Sequence, residues 1–365
     1  MILDLYFARR FLQSFLMILL VFIALVALVD LIEQLRKFDR YDLSLWQLFG
    51  LTALNMPAAL NEILPLVMIL GTVALFIGLA RSSELVVTRA SGRSGIRALF
   101  APVLLSLIIG GLAVTVLNPL VAATSNRSQQ LSEFYRTGET AAVSISGEGL
   151  WLRQGDGNIQ TVIQARQFDP QTETLINVTL MEFDRDSTPI RRFRAATAQL
   201  DADEWVMTQA KEWDLQTASN PEAEAVIHPR LRLPSSITRD RLRSSLGTSS
   251  AVSVFDLPQV IRDLEQAGFD SRYYRVWLQV ELARPLFLMA MVLVGSAFTM
   301  RHVRFGGTGV AALAAVLLGF SFYFIRNFAQ VLGEHGQIPV LMAAWAPPVA
   351  SILLTAGLLL QAEDG

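Results

Sequence analysis

The sequence predicts an α+β membrane protein in which six transmembrane helices carry a β-jelly-roll domain inserted between helices 3 and 4. Of its 365 residues, 52% are hydrophobic and only 17% are charged, and the mean hydropathy is +0.43. A typical soluble domain has about 25% charged residues. The apolar residues form three long blocks on each side of a polar central region. Each block approaches the roughly 20 helical residues that cross a bilayer.

Composition and missing motifs exclude several kinds of function. Cysteine is absent, so there are no disulfides, thiolate zinc sites, iron–sulfur clusters or cysteine nucleophile. No G-x-x-x-x-G-K-[ST] or G-x-S-x-G motif occurs. The net charge of −2 gives no bulk attraction to nucleic acid. His228, His302 and His335 lie far apart and are expected to be solvated loop residues. We therefore expect a non-catalytic chain with no metal and no cofactor of its own.

Six segments are predicted to cross the membrane, at about residues 11–31, 63–80, 98–117, 277–300, 310–325 and 339–360. The first is too long for a signal peptide and no A-x-A-like site follows it, so a retained helix is favoured. The second is entered through Pro65. Pro285 lies inside the fourth, where neighbouring helices or water can satisfy the freed backbone groups.

Basic residues orient these segments through the positive-inside rule. The second connecting loop carries Arg81, Arg89, Arg93 and Arg97, and the fourth carries Arg301 and Arg304. Both loops are expected to be cytoplasmic. Six crossings then place both termini in the cytoplasm and the central domain outside it, in the periplasm of a host with two membranes.

Period-two alternation in the polar central region predicts short strands at residues 150–153, 161–166, 174–183, 191–198, 205–209 and 223–227. Their spacing favours a sandwich or an open jelly roll. The sequence from Gly155 to Asn158 resembles part of a calcium loop, but it lacks the remaining oxygen ligands and predicts a tight turn. Helical periodicity returns over residues 257–267, with Gly268 as C-cap. The predicted domains are residues 1–118, 119–255 and 256–365.

A short helix is predicted near residues 82–93, between the second and third crossings. It carries Glu84, Leu85, Arg89 and Arg93 on the basic side and ends at Gly92. A cytoplasmic helix of this size can dock in a groove of another protein. The alternative is a loop whose arginines only set the topology.

Ionisable residues follow the first segment at helical spacing. They are Asp30, Glu33, Arg36, Lys37 and Arg40. Such residues can snorkel at the membrane boundary without further role. They can also line a path for an anionic amphiphile, since arginine pairs bidentately with phosphate. The fifth segment holds an aromatic cluster, Phe320, Phe322, Tyr323 and Phe324, which suits either helix packing or contact with acyl chains.

With these motifs, the chain resembles the lipopolysaccharide-export permeases of the LptF/LptG type over essentially its whole length. The most specific piece, from Arg81 to Gly92, looks like the SELxxxxASG coupling helix of that family. Further similar pieces are Gly268-Phe-Asp270, Gly319-Phe320-x-Phe322-Tyr323, Gly336-Gln-Ile338-Pro339 and Trp345-Ala-Pro347. Gly149-Leu150-Trp151 and Tyr135-Arg136 look more like the LptG branch than the LptF branch.

The resemblance implies a permease subunit of an ABC transporter that takes lipopolysaccharide from the outer leaflet of the inner membrane to a periplasmic bridge. It implies five kinds of partner: an LptF-like second subunit in a heterodimer, an LptB-like cytoplasmic ATPase dimer that uses ATP, an LptC-like bitopic protein, an LptA-like bridge and lipopolysaccharide. The ATPase contact would include Glu84, Leu85, Arg89 and Arg93. The lipid path would include Arg36, Lys37, Arg136, Phe320, Phe322 and Phe324. Asp30 departs from the pattern, because related LptG sequences can carry lysine there.

Other functional classes stay open at this stage. The chain could be an LptF-like paralogue of the same complex. It could be a mechanotransmission subunit of another ABC system, although such proteins usually carry the large domain after the first crossing, whereas here it follows the third. A membrane-anchored hydrolase would need a nucleophile–base arrangement that is not visible in the sequence.

Overall fold

The structure is a computed structural model that describes residues 2–41, 43–84, 87–88, 95–137, 143–146, 149–155, 159–169, 174–184, 188–201, 204–217, 220–235, 252–266, 270–300 and 308–364. The chain forms two compact units. The helical unit comprises Met1–Leu131, Ser250–Phe255 and Arg272–Gly365, and the sheet unit comprises Ser132–Ser249 and Asp256–Ser271. Outside the described residues lie positions 156–158 of the turn predicted over Gly155–Asn158, the predicted cap Gly268, His302 and the loop arginines Arg301 and Arg304.

The described part of the chain contains eight α-helices. They are α1 (Ile2–Lys37), α2 (Leu45–Arg81), α3 (Gly95–Leu112), α4 (Asn118–Thr137), α5 (Leu257–Gln266), α6 (Arg272–Thr299), α7 (Thr308–Glu334) and α8 (Val340–Asp364). Six helical stretches within it are long and apolar enough to cross a membrane: Leu3–Lys37, Leu45–Arg81, Arg97–Ser132, Arg272–Thr299, Gly309–Glu334 and Val340–Gln361. The six predicted crossings are confirmed, and α5 confirms the predicted helix that precedes the fourth.

The second crossing begins much earlier than the sequence predicted. Helix α2 starts at Leu45, with Pro57 and Pro65 in its interior. Ser44 caps it: the backbone N–H of Gln47 donates to Ser44 Oγ, and the backbone N–H of Ser44 donates to Gln47 Oε1 at 2.8 Å. The prediction that this segment is entered through Pro65 is wrong, because a membrane helix continues through proline where neighbouring helices satisfy the freed backbone groups.

The third crossing continues past its predicted end. A π-helical turn, Ala113–Leu117, joins α3 to α4, and the helix runs on through polar residues to Thr137. Pro119 therefore lies inside a helix and not at the start of a β-rich stretch. A proline lacks the backbone donor of a regular turn, and local π-helical geometry is one way to accommodate it.

Glycines allow the membrane helices to approach closely. A Cβ atom on Gly110 of α3 would lie 2.5 Å from the Cα of Pro285 in α6. One on Gly295 of α6 would lie 2.9 Å from Thr72 Cβ in α2, and one on Gly319 of α7 would collide with Ile69 of α2. Small residues at such crossings give membrane helices their van der Waals contact. These contacts lie where α2, α3, α6 and α7 meet, and the core of the helical unit also includes Phe7, Phe11 and Phe15 of α1.

The sheet unit contains one antiparallel sheet of seven strands. They are β1 (Val143–Ser146), β2 (Gly149–Gly155), β3 (Gln160–Asp169), β4 (Thr174–Phe183), β5 (Pro189–Asp201), β6 (Glu204–Asp214) and β7 (Val226–Pro234). Each strand pairs with its neighbour in sequence. An antiparallel sheet inserted between the third and fourth crossings confirms the predicted α+β fold class.

Two strands, β1 and β7, differ most from the prediction. β1 was not predicted, and residues 221–224 form a turn, so β7 shares only Val226 and Ile227 with the predicted strand at 223–227. Pro229 lies within β7, which is an edge strand of the described sheet. An edge strand tolerates a proline because it does not need every ladder donor.

Within β4 and β6 the alternation of buried and exposed residues changes phase, so the face that is buried switches partway along the strand. We call the line of residues at which this happens the crease. In β4 the buried residues Leu175 and Val178 are separated by two residues, Ile176 and Asn177, and the φ of Asn177 is left-handed at 54°. In β6, Gln209 has a φ of 51° between buried Met207 and Ala210. The strand register is the same on both sides of these residues. The crease therefore reverses side-chain orientation without slipping the strands.

Residues from both sides of the crease form one hydrophobic core. It includes Leu152, Ile163, Ala165, Leu175, Val178, Leu180, Phe193, Ala195, Ala198, Leu200, Trp205, Met207, Ala210 and Leu233. Strict alternation along straight strands would turn one half of these side chains outward. The left-handed residues therefore allow long strands to serve a single core.

Candidate functional site

The side chain of Glu84 is held by the first helix. Its Oε2 atom accepts a hydrogen bond from the Tyr6 hydroxyl at 2.6 Å. Arg10 Nε donates to the same hydroxyl at 2.9 Å, and Arg10 Nη2 lies 3.7 Å from Glu84 Oε1. The hydrogen bond from Tyr6 is the main cause that lowers the pKa of Glu84 below its usual value. We call Tyr6, Arg10 and Glu84 the carboxylate clasp. It keeps a charged group next to the end of α2.

A backbone turn positions Glu84. The N–H of Ser82 donates to the carbonyl of Gly78, and Ser83 has a left-handed φ of 60°. The chain then returns to helical geometry, because the N–H of Val87 donates to the carbonyl of Ser83 and Thr88 Oγ1 donates to the carbonyl of Glu84. Glu84 thus stands at the first turn of a new helical segment, where a negative charge is favoured by the helix dipole.

The remaining predicted coupling residues, Leu85, Arg89 and Arg93, lie outside the described residues. Val87 is described and is exposed, whereas Thr88 is buried. The docking surface around Glu84 therefore stays a prediction.

Arg36 and Lys37 lie in the last turn of α1 and are exposed. The Lys37 ammonium lies 6.0 Å from the centre of the Phe38 ring. Arg136 lies near the end of α4, and its side chain is outside the described part of the chain. Arg136 is thus on a different helix from Arg36 and Lys37, and their joint role in a lipid path stays a prediction.

Asp30 belongs to a polar chain between helices. Asn55 Nδ2 donates to Asp30 Oδ1 at 3.1 Å, and Ser128 Oγ donates to Asn55 Oδ1 at 2.7 Å. This chain joins α1, α2 and α4. Asp30 therefore serves as an acceptor that ties α1 to α2. No partner for Asp30 was predicted, because Asn55 lies between the first two segments that were predicted to cross the membrane.

The aromatic cluster of α7 divides between two environments. Phe322 is buried in the core of the helical unit. Phe320 and Phe324 are exposed, and their rings stack at 6.5 Å between centroids. Packing thus accounts for Phe322, whereas Phe320 and Phe324 present an apolar surface outside the core.

A buried ion pair lies inside the fourth crossing. Arg284 Nε and Nη2 donate to Glu281 Oε2 and Oε1 at 2.8 and 2.5 Å, and both side chains are almost fully enclosed. On α7, the Arg326 guanidinium carbon lies 5.1 Å from the centre of the Phe287 ring. Sequence reasoning missed these residues. The signal was present, since ionisable residues are rare within membrane segments and mark functional sites there.

The prediction that His228 is a loop residue is wrong. This histidine lies in β7, where its Nε2 atom is 2.9 Å from Glu212 Oε2. His335 is exposed, with Nδ1 2.8 Å from the carbonyl oxygen of Val331. The described residues contain no cluster of three potential metal-ligating histidine, aspartate or glutamate side chains.

Six helices that are long and apolar enough to cross a membrane, with an antiparallel sheet inserted in the chain between the third and the fourth, define a multi-pass membrane protein. Residues 5–361 match the family described as "Lipopolysaccharide export system permease LptF/LptG", and the chain belongs to that family. It is similar to the lipopolysaccharide export system permease protein LptG of Escherichia coli (strain K12), with 24% identity over 315 residues, 85% of this chain and 84% of that protein. It is also similar to LptG of Haemophilus influenzae, with 23% identity over 340 residues, 89% of this chain and 88% of that protein.

Proposed function

We propose that this permease is an LptG-like subunit that extracts lipopolysaccharide from the outer leaflet of the inner membrane and delivers it to a periplasmic bridge. The observation that carries the proposal is the family match over residues 5–361. The similarity to the LptG proteins of Escherichia coli and Haemophilus influenzae supports the LptG-like assignment. In this proposal the termini and the Glu84 turn are cytoplasmic, and the sheet unit is periplasmic.

The work of extraction requires an external source of energy. Moving acyl chains from a bilayer into water costs about 0.8 kcal/mol for each CH₂ group. The chain has no P-loop. We propose that an LptB-like ATPase dimer uses ATP and docks beside Glu84, where the carboxylate clasp fixes one charged contact. A second, LptF-like permease, an LptC-like bitopic protein and an LptA-like bridge complete the set of partners.

The lipid path is proposed from exposure and charge. Phe320 and Phe324 offer stacked, exposed rings to acyl chains. Arg36 and Lys37 are exposed cations at the end of α1 that suit the phosphates of an anionic lipid. The chain itself then contributes binding surface and movement, and the chemical step belongs to the ATPase.

Reconstitution tests the proposal. The complex purified with its ATPase and second permease is placed in proteoliposomes with lipopolysaccharide, and ATP-dependent transfer to the bridge protein is measured. We expect Glu84→Ala to reduce transfer at least tenfold while membrane insertion is retained. Asp39→Ala, at an exposed acidic residue of the loop after α1, is the matched control. Normal transfer by the Glu84 variant would refute the docking role. If the wild type hydrolysed ATP without transferring lipopolysaccharide, a mechanotransmission subunit would be favoured.

A further inference from the structure

The buried pair of Glu281 and Arg284 has a third partner, on another helix. Arg284 Nη1 donates to the backbone carbonyl oxygen of Asn61 in α2 at 3.1 Å. All three donor nitrogens of Arg284 are therefore used, two on Glu281 and one on α2. The guanidinium thus joins α6 to the backbone of α2 inside the membrane unit.

Pro65 explains why the Asn61 carbonyl is free to accept this bond. In a regular α-helix the carbonyl of residue 61 accepts from the N–H of residue 65. Residue 65 is proline, which has no N–H. Lipid provides no replacement donor, so a freed carbonyl in a membrane helix needs a partner from the protein. Arg284 is that partner.

Stability alone does not account for a charged partner. A buried ion pair is often no more stabilising than apolar residues of the same volume, because removing two charges from water is costly. Membrane helices also satisfy proline-freed carbonyls with serine, threonine or ordered water. An arginine with its own counter-ion is a rigid, planar connection with several fixed bonds. Such a pair therefore adds a rigid connection that limits bending of α2 at Pro65.

Between Pro65 and Glu84, α2 is also held against α6 by close packing. One and two turns after Pro65, Ile69 and Thr72 are in close contact with Gly295 of α6. Pro285, which directly follows Arg284, is in close contact with Gly110 of α3. The half of α2 that follows Pro65 is thus packed on α6, and it ends at the carboxylate clasp.

We propose that Glu281 and Arg284 form a latch across the proline break in α2, so that both halves of α2 move with α6 when the Glu84 turn is displaced. Arg284 is a positioning residue that acts through the Asn61 carbonyl. The latch is a property of the chain itself. Its use in transport rests on the function proposed above.

Spin labelling tests the latch without any transport assay. The chain lacks cysteine, so labels at Ala53→Cys and Ala74→Cys are the only reactive thiols. Both positions are exposed, and they lie on opposite sides of Pro65 in α2. The Cα atoms would be about 32 Å apart in an ideal helix, at 1.5 Å per residue. Pulsed electron paramagnetic resonance on the full chain in lipid nanodiscs gives the distribution of distances between the two labels, and the width of that distribution is the quantity measured.

We expect a narrow distribution in the wild type and at least a twofold wider one in Glu281→Leu/Arg284→Met. Adding Pro65→Ala restores the N–H to the helix, and we expect it to return the double variant to the narrow width. Arg275→Met, at an exposed arginine of the same helix, is the control and should leave the width unchanged. Equal widths in the wild type and the double variant would overturn the latch, as would a broadening that Pro65→Ala does not reverse.

Two further measurements keep the test decisive. If the double variant does not fold, Arg284→Lys retains the charge but replaces three donor nitrogens in a planar fork with one nitrogen on a flexible stem, and it should broaden the distribution. An unchanged width would overturn the latch.

In the reconstituted complex, we expect the double variant to hydrolyse ATP normally and to transfer at least fivefold less lipid for each ATP. An unchanged yield with a broadened distance would overturn the transport role of the latch, whereas a wild type without transfer would count against the proposed function alone.

Discussion

The hydroxyl of Tyr6 lies 2.6 Å from the carboxylate of Glu84, although the two residues are far apart in the sequence. This contact joins the start of α1 to the turn that follows α2. The same hydroxyl accepts a hydrogen bond from Arg10. This bond polarises the O–H group and strengthens its hydrogen bond to the carboxylate. The position of Glu84 therefore depends on α1 as well as on its own motif.

We expect Tyr6→Phe to raise the pKa of Glu84 towards its usual value, because the main hydrogen bond that lowers it is lost. A lowered pKa in the folded state contributes stability above the unfolded value, and this contribution disappears as the pH falls through the folded pKa. At neutral pH the variant should lose less than about 1 kcal/mol, since the carboxylate is partly exposed. Thermal unfolding in detergent between pH 3 and 7 measures this. Tyr41→Phe, at an exposed tyrosine, is the control, and identical pH profiles for the wild type and the Tyr6 variant would contradict the prediction.

Gly110 offers a test of helix packing. We expect Gly110→Ala to destabilise the helical unit by about 1–3 kcal/mol, because its Cβ would meet the backbone of Pro285. The neighbouring Gly111 has no atom within 4 Å of such a Cβ. Gly111→Ala should therefore be neutral or slightly stabilising, since alanine favours helix over glycine. Thermal unfolding compares the two variants, and equal loss of stability in both would refute the close approach of α3 and α6.

Substitutions of the phenylalanines of α7 should distinguish residues that pack in the core from residues that contact lipid. Phe322→Ala should destabilise the helical unit by about 3–5 kcal/mol, because the ring is buried in the core. Phe320→Ala and Phe324→Ala should leave the unfolding temperature nearly unchanged and lower the amount of lipopolysaccharide that co-purifies with the complex. Mass spectrometry of bound lipid measures the second effect. Undiminished lipid in both exposed-ring variants would remove these residues from the proposed path.

The crease of the sheet should depend on residues that tolerate left-handed backbone. We expect Asn177→Val to destabilise the sheet unit by about 1–2 kcal/mol, because a β-branched residue is unfavourable at a φ of 54°. Thr179→Val, in a regular part of the same strand, is the control and should have little effect. Hydrogen exchange of β3, β4 and β5 reports local opening of the sheet. Equal protection in the two variants would show that the crease does not need Asn177.

Parts of the fold could be predicted because their signals are local. Apolar length defined the six crossings, and alternation of apolar residues located most of the strands. The predicted ends at Arg166, Ala198 and Gln209 came too early, since β3, β5 and β6 continue to Asp169, Asp201 and Asp214. These ends lie at or next to the crease, where alternation changes phase. A single-sequence pattern ends there although the strand does not.

The start of α2 was missed for a related reason. Pro65 ends a helix in a sequence pattern, because the missing N–H leaves the carbonyl of Asn61 without a partner. The partner is Arg284, on a helix more than two hundred residues away in the sequence. No local pattern contains that information.

The sequence by itself determined that this chain crosses a membrane six times, carries an inserted β domain and belongs with lipid-export permeases, because segment length, periodicity and local motifs are properties of short stretches. The tertiary structure alone decided which carboxylate Tyr6 holds, which aromatic rings of α7 are buried and which arginine completes the proline-broken helix. Each of these depends on side chains from separate helices meeting at hydrogen-bond or van der Waals distance, and that proximity arises only when the chain is packed.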